Sequence, residues 1–359
     1  MIQLTAGDPV PWFRAATSSR PDYNFGSVAG RYIVIAFVSS SRSAAGKACI
    51  EAIAARRGLF NDVHIAFFGV TADPIDQSQR RVQDDVPGVR WFYDAGASIA
   101  RSFGAVDGAG KTETRWFLLD PMLRVMAVGA TPERILDLLP GLPVLNRYAG
   151  SEVTAPVLLL ARVFEPALCK ALIDYYQKTG GEASGFMVER DGKTMTASDY
   201  NYKRRSDCII EDEALRQACR ARILRRLVPE IAKCFQFTVS RMERYIVARY
   251  SGDEAGYFAP HRDNTTKGTA HRRFAVTLNL NAEEYEGGEL RFPEFGARTY
   301  RAPTGGAVVF SCSLQHEALP VKSGTRFAFL PFLYDEAAAQ IREQNNRYLD
   351  EALGTYQRE

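Results

Sequence analysis

The apolar periodicity of this chain changes near its middle, and this change constrains the fold more than any other feature. Residues 1–140 alternate between short, uninterrupted apolar runs and helical patterns, as in Tyr32–Val38 followed by residues 44–57. Such runs are typical of strands buried in a sheet whose two faces are covered by helices. In the second half, short strand-like segments with a period of two alternate with Gly and Pro, as in Arg273–Leu280. We therefore expect two different architectures in sequence.

The length of 359 residues also favours two domains, because single domains usually contain roughly 100–200 residues. The first half predicts an α/β sandwich with a central mixed sheet, and the second half a jelly-roll barrel with flanking helices. Gly, Pro, Ser and Asn interrupt all periodicity near 143–155, so we predict a linker there. The predicted domains are then 1–142 and 156–335, followed by a C-terminal helix over 336–359.

Charge and composition exclude several classes of partner. The chain carries 45 basic and 42 acidic side chains, a net charge of +3, which does not favour nucleic-acid binding. No apolar run approaches the roughly 20 residues of a membrane-spanning helix, and no signal peptide is visible, so we expect no membrane association. The six cysteines form no CxxC pair, which fits a reducing cytoplasm better than a disulfide framework.

The histidines provide the clearest indication of chemistry. His261 and Asp263 are two residues apart, so on an extended strand both side chains project to the same side. His316 follows a second strand-like segment and can approach from across the barrel. Two histidines and one carboxylate on one face of a metal leave positions open, as in non-haem Fe(II) oxygenases. Catalytic zinc with the same ligands, or polar residues that never meet, remain alternatives.

Arg326 lies ten residues after His316, beyond a short turn that would return the chain as the neighbouring antiparallel strand. Its planar guanidinium can hold a carboxylate through two parallel hydrogen bonds. A zinc site would leave this arginine and its spacing unexplained. Tyr250, near the end of the strand that precedes His261, offers a further hydroxyl donor.

The segments FAPHRDN, RRFAVTLNLN, YEGGELRFPEF and QHEALPVKSGTRFAFLPF resemble the prolyl 4-hydroxylase-type Fe(II)/2-oxoglutarate-dependent dioxygenases. The resemblance covers roughly residues 155–335. It implies a double-stranded β-helix, with Fe(II), 2-oxoglutarate and O2 as cofactor and cosubstrates and ascorbate as an optional reductant. The implied reaction hydroxylates a protein or peptide substrate, with prolyl favoured, or a free amino-acid derivative, and yields succinate and CO2.

The resemblance also implies roles for individual residues. These roles are iron ligation by His261, Asp263 and His316, binding of the C5 carboxylate of 2-oxoglutarate by Arg326, and lining of its pocket by Tyr250 and Asn279. Asn279 departs from the family pattern, because such enzymes often carry a tyrosine at that position.

The first half, through GDPVPWF, AGRYIVIAFVSS, HIAFFGVTADP and TRWFLLDP, resembles peroxiredoxins of the AhpC/TSA type over residues 1–130. A thioredoxin-like fold is implied. Those enzymes need a thiolate at the N-terminus of the helix after the first core strand. Here Ser43 stands at the threonine of the family pattern and Gly46 at its cysteine, whereas Cys49 comes one turn later on the apolar helix face.

We therefore expect Cys49 to be a core residue and Arg115, the match to the family's active-site arginine, to have no thiolate to stabilise. The prediction is a degenerate redoxin domain that serves structure, homodimerisation or substrate presentation. Two alternatives to an oxygenase remain at this stage. One is a thiol peroxidase, which the missing cysteine opposes, and the other is a non-catalytic binding module, which the intact metal motif and Arg326 oppose.

Overall fold

The computed structural model describes residues 3–357 and divides them into two compact units. One unit contains the residues up to Thr154 together with Pro293–Arg298, and the other contains Ala155–Phe292 together with the residues from Thr299 onwards. The two-domain layout expected from the sequence is therefore present. The predicted linker 143–155 lies almost entirely in the first unit and includes a 3-10 turn at Leu145–Arg147.

The first unit is a mixed α/β structure. Its strands are β1 (Arg14–Ala15), β2 (Tyr23–Asn24), β3 (Tyr32–Val38), β4 (Ile65–Thr71), β5 (Val89–Tyr93), β6 (Arg115–Leu119) and β7 (Val125–Gly129). Its α-helices are α1 (Ala44–Ala55), α2 (Pro74–Ser78), α3 (Ser98–Ser102) and α4 (Pro132–Leu136). Short 3-10 turns lie at Phe25–Val28, Arg57–Leu59, Leu139–Gly141 and Pro293–Phe295.

A central sheet in the order β5-β4-β3-β6-β7 organises this unit. Strands β3, β4 and β5 are parallel neighbours, whereas β6 and β7 add as an antiparallel hairpin. Every residue of β3 is buried, with Ile33 and Phe37 in the apolar core on one face and Val34 and Val38 in the core on the other. A continuous apolar run forms this strand because both faces of the sheet are covered.

The second unit combines helices with short strands. Its strands are β8 (Leu158–Leu160), β9 (Glu182–Ala183), β10 (Phe186–Arg190), β11 (Lys193–Ala197), β12 (Lys203–Arg204), β13 (Ser206–Ile209), β14 (Arg241–Glu243), β15 (Ile246–Ser251), β16 (Tyr257–His261), β17 (Phe274–Asn279), β18 (Tyr285–Gly287), β19 (Leu290–Arg291), β20 (Thr299–Tyr300), β21 (Ala307–Ser311), β22 (His316–Ala318), β23 (Val321–Phe329) and β24 (Phe332–Tyr334). Its helices are α5 (Pro166–Thr179), α6 (Glu213–Arg222), a π-turn at Ile223–Leu227, α7 (Val228–Phe235) and α8 (Glu336–Gln344), with 3-10 turns at Lys267–Thr269, Asn345–Tyr348 and Glu351–Leu353.

The strands form a larger and a smaller sheet. The larger sheet runs β14-β24-β17-β23-β15-β13-β9, with β21 and β8 added beside β17 and β18 beside β23, and the smaller sheet runs β12-β16-β22-β19-β20. Side chains of both sheets pack together, because Ala248 and Tyr250 of the larger sheet share an apolar cluster with Phe258 and Ala318 of the smaller one. The predicted metal ligands and the predicted carboxylate anchor thus lie on two sheets that pack against each other.

The periodicity of β17 predicts a half-buried strand, but the structure buries all of its residues. Phe274, Val276 and Leu278 point into the main apolar core, which the helices of this unit also line. The alternate residues, including Thr277 and Asn279, point to the opposite face. That face is also covered, because the smaller sheet lies over part of the larger one. The alternation of apolar and polar residues along one strand cannot show that a second sheet packs on its polar face.

The C-terminal helix is shorter than the predicted 336–359. Helix α8 begins after Asp335, whose side chain accepts a hydrogen bond from the Ala338 amide, and ends at Gln344. The next two residues are asparagines whose side chains bind backbone groups outside the helix, with Asn345 donating to Lys267 and Asn346 accepting from the Tyr356 amide. Asparagine competes with helical hydrogen bonding in this way. Within residues 3–357, no helix is long and apolar enough to cross a membrane.

Candidate metal and cosubstrate site

Two adjacent strands of the smaller sheet bring the predicted ligands together. Strands β16 and β22 are antiparallel, with His261 directly opposite His316 and a register shift between Phe258 and His261. Asp263 follows two residues later and is fixed by a hydrogen bond from its amide to the Cys312 carbonyl oxygen, 3.0 Å away. Backbone pairing therefore places all three side chains.

One potential ligand atom from each of His261, Asp263 and His316 lies within 4.8 Å of the other two. The Nε2 atoms of His261 and His316 are 3.5 and 3.3 Å from the two carboxylate oxygens of Asp263. The Nδ1 atoms lie 2.8 Å from the Ala259 carbonyl oxygen and 3.1 Å from that of Leu314. Because a carbonyl oxygen only accepts, each Nδ1 carries the proton and each Nε2 is left with a lone pair for a metal.

The charges of the three side chains match the same chemistry. Burial, together with the neighbouring His261, lowers the pKa of His316 to about 4, so its imidazole is neutral near pH 7. Burial acts to raise the pKa of Asp263, but positive charge on its neighbours, Arg272 among them, holds that pKa below its usual range. Two neutral imidazoles and one carboxylate are the donor set of a non-haem Fe(II) site. These residues therefore fit the metal that the sequence resemblance implies.

Aromatic rings fix the orientation of both imidazoles. The His261 ring stacks on Phe258 with a centroid distance of 3.5 Å and an interplanar angle of 21°. His316 contacts Phe310 at 4.5 Å and Phe292 at 6.2 Å. Packed rings of this kind restrict side-chain rotation, so the ligand geometry exists before any metal binds.

Arg326 is buried in β23, directly opposite Tyr250 in β15, and only 2% of it is exposed. Its guanidinium lies 4.8 Å from the centre of the Tyr250 ring. The Nε and Nη1 atoms have no hydrogen-bond partner. Burying an unpaired charged donor is unfavourable, so this position suits an incoming anion. A carboxylate bound by two parallel hydrogen bonds would satisfy both nitrogens.

Asn279, predicted to line the 2-oxoglutarate pocket, uses its amide for a hydrogen bond within the protein. Its Nδ2 donates to the Ala302 carbonyl oxygen over 2.7 Å, and its Oδ1 has no partner. The free atom is thus an acceptor, which a carboxylate cannot satisfy. The hydroxyl of Tyr250 lies 3.4 Å from Nη1 of Arg205, which belongs to the basic run 203–205.

Several buried polar residues near this site have no role predicted from the sequence. Lys203 and Arg205 are 7% and 9% exposed, although a run of basic residues is usually solvated. Asp207 accepts a hydrogen bond from Arg205 Nη2 over 2.7 Å. The Tyr285 hydroxyl is buried without a partner in the same apolar cluster as Tyr250. The one available signal was that these residues fall within or beside segments that carry the family resemblance.

His271 is only 2% exposed, although two arginines follow it directly in the sequence. Its Nε2 lies 3.2 Å from Oε2 of the buried Glu243, and burial lowers the pKa of this imidazole. Glu243 also pairs with Arg272 at 2.7 Å and Arg342 at 2.8 Å. Arg272 in turn donates to the carbonyl oxygen of Asp263 over 3.4 Å. This network therefore connects helix α8 to the backbone of a predicted metal ligand.

The first unit lacks the geometry of a thiol peroxidase. Ser43 caps helix α1 by accepting a hydrogen bond from the Gly46 amide over 2.9 Å. A Cβ atom on Gly46 would lie 2.0 Å from the Ser40 carbonyl oxygen, so no side chain fits there without a shift of the backbone. Cys49 is fully buried, and burial raises the pKa of its thiol. Arg115 pairs with Glu113 at 3.3 Å.

Comparisons with known proteins agree with this two-part organisation. Residues 245–334 match the 2OG-Fe(II) oxygenase superfamily model, and residues 6–128 match the AhpC/TSA family model. Both resemblances predicted from the sequence are thereby confirmed. The oxygenase family implies Fe(II), 2-oxoglutarate and O2, which the ligand set described above fits.

Curated relatives match only part of the second unit. A PKHD-type hydroxylase from Azoarcus sp. (strain BH72) is 32% identical over 108 residues, which cover 28% of this chain and 45% of the relative. Procollagen-lysine,2-oxoglutarate 5-dioxygenase 1 from Rattus norvegicus is 31% identical over 101 residues, 27% of this chain and 13% of the relative. The chain thus spans less than half the length of these relatives.

Similar solved structures include one for each part of the chain. A Pseudomonas putida prolyl-4-hydroxylase has a TM-score of 0.40 at 18% identity, covering 51% of this chain and 94% of its own. Mycobacterium tuberculosis AhpC has a TM-score of 0.33 at 20% identity, covering 39% of this chain and 94% of its own.

Proposed function

We propose that this chain is an Fe(II)- and 2-oxoglutarate-dependent dioxygenase that hydroxylates an amino-acid or peptidyl residue, with proline favoured. The observation that carries the proposal is the convergence of His261, Asp263 and His316 with their Nε2 and carboxylate atoms free to bind one ion. The buried Arg326, with unpaired Nε and Nη1 atoms, supplies the second requirement, an anchor for a dicarboxylate. A simple zinc hydrolase would leave that anchor without a purpose.

Each of these residues then has a defined task. His261, Asp263 and His316 hold the iron, and Arg326 binds the C5 carboxylate of 2-oxoglutarate with the Tyr250 ring packed beside it. Bound Fe(II), with 2-oxoglutarate and O2, supplies the oxidation that yields succinate, CO2 and a hydroxylated substrate. The protein contributes position and exclusion of water, because His316 and Arg326 are buried and the side chains of His261 and Asp263 are only 12% and 13% exposed.

The architecture supports the same assignment. In our proposal the larger and smaller sheets are the two halves of a double-stranded β-helix, with residues 156–335 as the oxygenase domain. Strands β16 and β22 carry the metal ligands on one sheet, and β15 and β23 carry Tyr250 and Arg326 on the other. The packing of Tyr250 against Phe258 joins these two groups of residues.

For the first unit, residues 1–142, we propose a degenerate redoxin domain with a structural, dimerisation or substrate-presenting role. The absence of a side chain at Gly46 and the burial of Cys49 support this proposal. A thiolate nucleophile must be exposed and have a lowered pKa, whereas burial raises the pKa of Cys49. No observation in the described residues favours thiol peroxidase activity.

Anaerobic visible absorption tests the proposed function directly. Fe(II) is added to the metal-free protein, followed by 2-oxoglutarate, for the wild type and for His261→Ala. We expect a charge-transfer band that requires both additions and is absent in the variant. The matched control is His64→Ala, which changes an exposed histidine in the first unit and should leave the band intact. A folded, iron-loaded wild type without the band would refute the proposal.

A further inference from the structure

A cluster of buried charges lies beside the proposed active site, and we call it the Asp207 cluster: Lys203, Arg205, Asp207 and Arg244. Asp207 Oδ2 accepts hydrogen bonds from Arg205 Nη2 at 2.7 Å and from Arg244 Nη2 at 3.3 Å. Lys203 reaches this carboxylate only through the Ser184 hydroxyl, which accepts from Lys203 Nζ over 2.8 Å and donates to Asp207 over 2.5 Å. Three cationic side chains therefore share one carboxylate.

The three positive charges of the Asp207 cluster exceed the one negative charge that the cluster contains. Within residues 3–357, Lys203 forms no ion pair, and its ammonium donates instead to the Ser184 hydroxyl and the Gly185 carbonyl oxygen. The Nε atom of Arg205 is buried without a hydrogen-bond partner. Burial also lowers the pKa of Lys203, which is the direction expected for an ammonium that lacks a counter-ion. An anion at this position would offset both costs.

The position of Arg205 places the cluster next to the proposed active site. Its guanidinium lies 5.8 Å from the centre of the Tyr250 ring and 6.0 Å from that of Phe258. Tyr250 is the ring that packs against Arg326, and Phe258 is the ring stacked on His261. Arg205 is thus one aromatic ring away from the cosubstrate anchor and one ring away from a metal ligand.

The cosubstrate does not neutralise these cations. In the proposed function, the two charges of Fe(II) and the charge of Arg326 are matched by Asp263 and by the two carboxylates of 2-oxoglutarate. The excess positive charge around Asp207 is therefore left for a different ligand. The low exposure of Lys203 and Arg205, 7% and 9%, suits a small group or a chain end better than the middle of an extended peptide.

We propose that the Asp207 cluster binds a carboxylate of the prime substrate, through Lys203 and Arg205, so that the oxygenase acts on a free carboxylic acid such as an amino-acid derivative. This inference rests on the proposed function and narrows it. Arg244 and Asp207 position Arg205 without contacting the substrate. The carboxylate would accept hydrogen bonds from the unpaired Arg205 Nε and from the Lys203 ammonium, which can turn from its present acceptors.

Isothermal titration calorimetry with a redox-inert complex tests this inference. The full chain is loaded with Zn(II) and saturated with N-oxalylglycine, an inert analogue of 2-oxoglutarate, which by itself reports whether the cosubstrate site exists. The complex is then titrated with N-acetyl derivatives of proline, glutamate and lysine, and with the corresponding α-carboxamides. We expect at least one acid to bind roughly tenfold to a hundredfold more tightly than its amide, as for a charge-assisted hydrogen bond.

Three variants test whether the preference for the acid over the amide comes from the Asp207 cluster. Lys203→Met and Arg205→Gln should reduce the ratio of acid to amide affinity to about one, while affinity for N-oxalylglycine is retained. Lys203→Met is the safer of the two, because Lys203 has no ion pair to lose. The matched control is Arg204→Gln, at the adjacent position. The Arg204 guanidinium donates to the carbonyl oxygens of Tyr200 and Glu254, so this substitution should leave the ratio of acid to amide affinity unchanged.

Other outcomes overturn the inference. No acid binding more tightly than its amide, or a preference that survives both substitutions, would show that the cluster does not bind a substrate carboxylate. A parallel loss of N-oxalylglycine affinity in both variants would assign the cations to the cosubstrate instead. Failure of the wild type to bind N-oxalylglycine at all would refute the proposed function itself and not this inference alone.

Discussion

Arg326→Ala is the substitution that most directly separates cosubstrate binding from metal binding. The guanidinium is 2% exposed, and its Nε and Nη1 atoms are unpaired in the absence of a ligand. If both nitrogens bind the C5 carboxylate, the variant loses two charge-assisted hydrogen bonds of about 1.5–3 kcal/mol each. Since each 1.4 kcal/mol is about tenfold in affinity, the Kd for 2-oxoglutarate should rise at least about 100-fold.

Iron affinity should change far less, because Arg326 contacts none of the three metal ligands in the described structure. The Fe(II) affinity is measured by competition with a chromophoric chelator, and the 2-oxoglutarate affinity by anaerobic titration of the charge-transfer band. Arg326→Lys retains the charge but not the planar fork, so its loss of 2-oxoglutarate affinity should be intermediate.

The matched control is Arg249→Ala, which removes the neighbouring arginine in β15, opposite Phe327 in the register. Successive residues of a strand alternate between faces, so Arg249 projects away from the face that carries Tyr250. Its removal should leave both affinities unchanged. An equal loss of iron and 2-oxoglutarate affinity in Arg326→Ala would indicate misfolding, and a loss of cosubstrate affinity below about fivefold would refute the assigned anchor.

Three further predictions concern stability and the first unit. Burial acts to raise the pKa of Asp207, but the charge of Arg205 lowers that pKa from 3.8 to about 2. The ionised carboxylate therefore contributes about 2 kcal/mol to the free energy of unfolding above pH 4, and this contribution is lost as the pH falls through 2. Chemical denaturation at pH 5 and pH 2.5 should show this acid loss in the wild type and a smaller one in Asp207→Asn; equal loss in both would contradict the assignment. Glu243→Gln leaves buried cations without their carboxylate, so it should lower the free energy of unfolding, measured with urea, by about 3 kcal/mol. A change below about 1 kcal/mol would show that the ion pairs of Glu243 do not stabilise the fold. Gly46→Cys should lower the melting temperature and give no hydrogen-peroxide consumption, because its Cβ would lie 2.0 Å from the Ser40 carbonyl oxygen. An unchanged melting temperature or robust turnover by this variant would contradict the steric argument, and robust Cys49-dependent turnover by the wild-type chain would disprove a degenerate redoxin domain.

The parts of the fold that could be predicted are those determined by local pattern. The continuous apolar run of β3 can be satisfied only in a sheet with two covered faces, and the structure provides one. The hairpin of β6 and β7 follows from the turn at Asp120-Pro121 between two apolar runs. The metal motif was equally local in part, because His261 and Asp263 are two residues apart, whereas the distant His316 was proposed from the strand-like segment before it and from the family resemblance.

The parts that could not be predicted depend on partners far away in the sequence. Lys203 and Arg205 belong to a basic run, which usually is solvated, and they are buried because Lys203 lies over the Phe258 ring and Arg205 approaches the Tyr250 hydroxyl, 45 residues later in the chain. His271 precedes two arginines, which suggests a solvated segment, but it is buried beside Glu243, which lies 28 residues earlier in the chain. A charge pattern shows which residues are basic or acidic but not whether they are buried, because burial depends on which strands pair.

The direct pairing of His261 with His316 across β16 and β22 has a consequence for how the protein acquires its metal. The backbone hydrogen bonds of these strands do not involve the ion, unlike those of small domains that fold only when zinc binds. A chelator should therefore strip the site without unfolding the chain. Because the site has the same geometry with and without an ion, it does not select a metal by changing its shape. Ions that bind more tightly, such as Cu²⁺ or Zn²⁺, therefore compete for the same donors. We therefore expect Zn²⁺ to displace Fe²⁺ from the purified protein when the two ions are supplied at equal concentration.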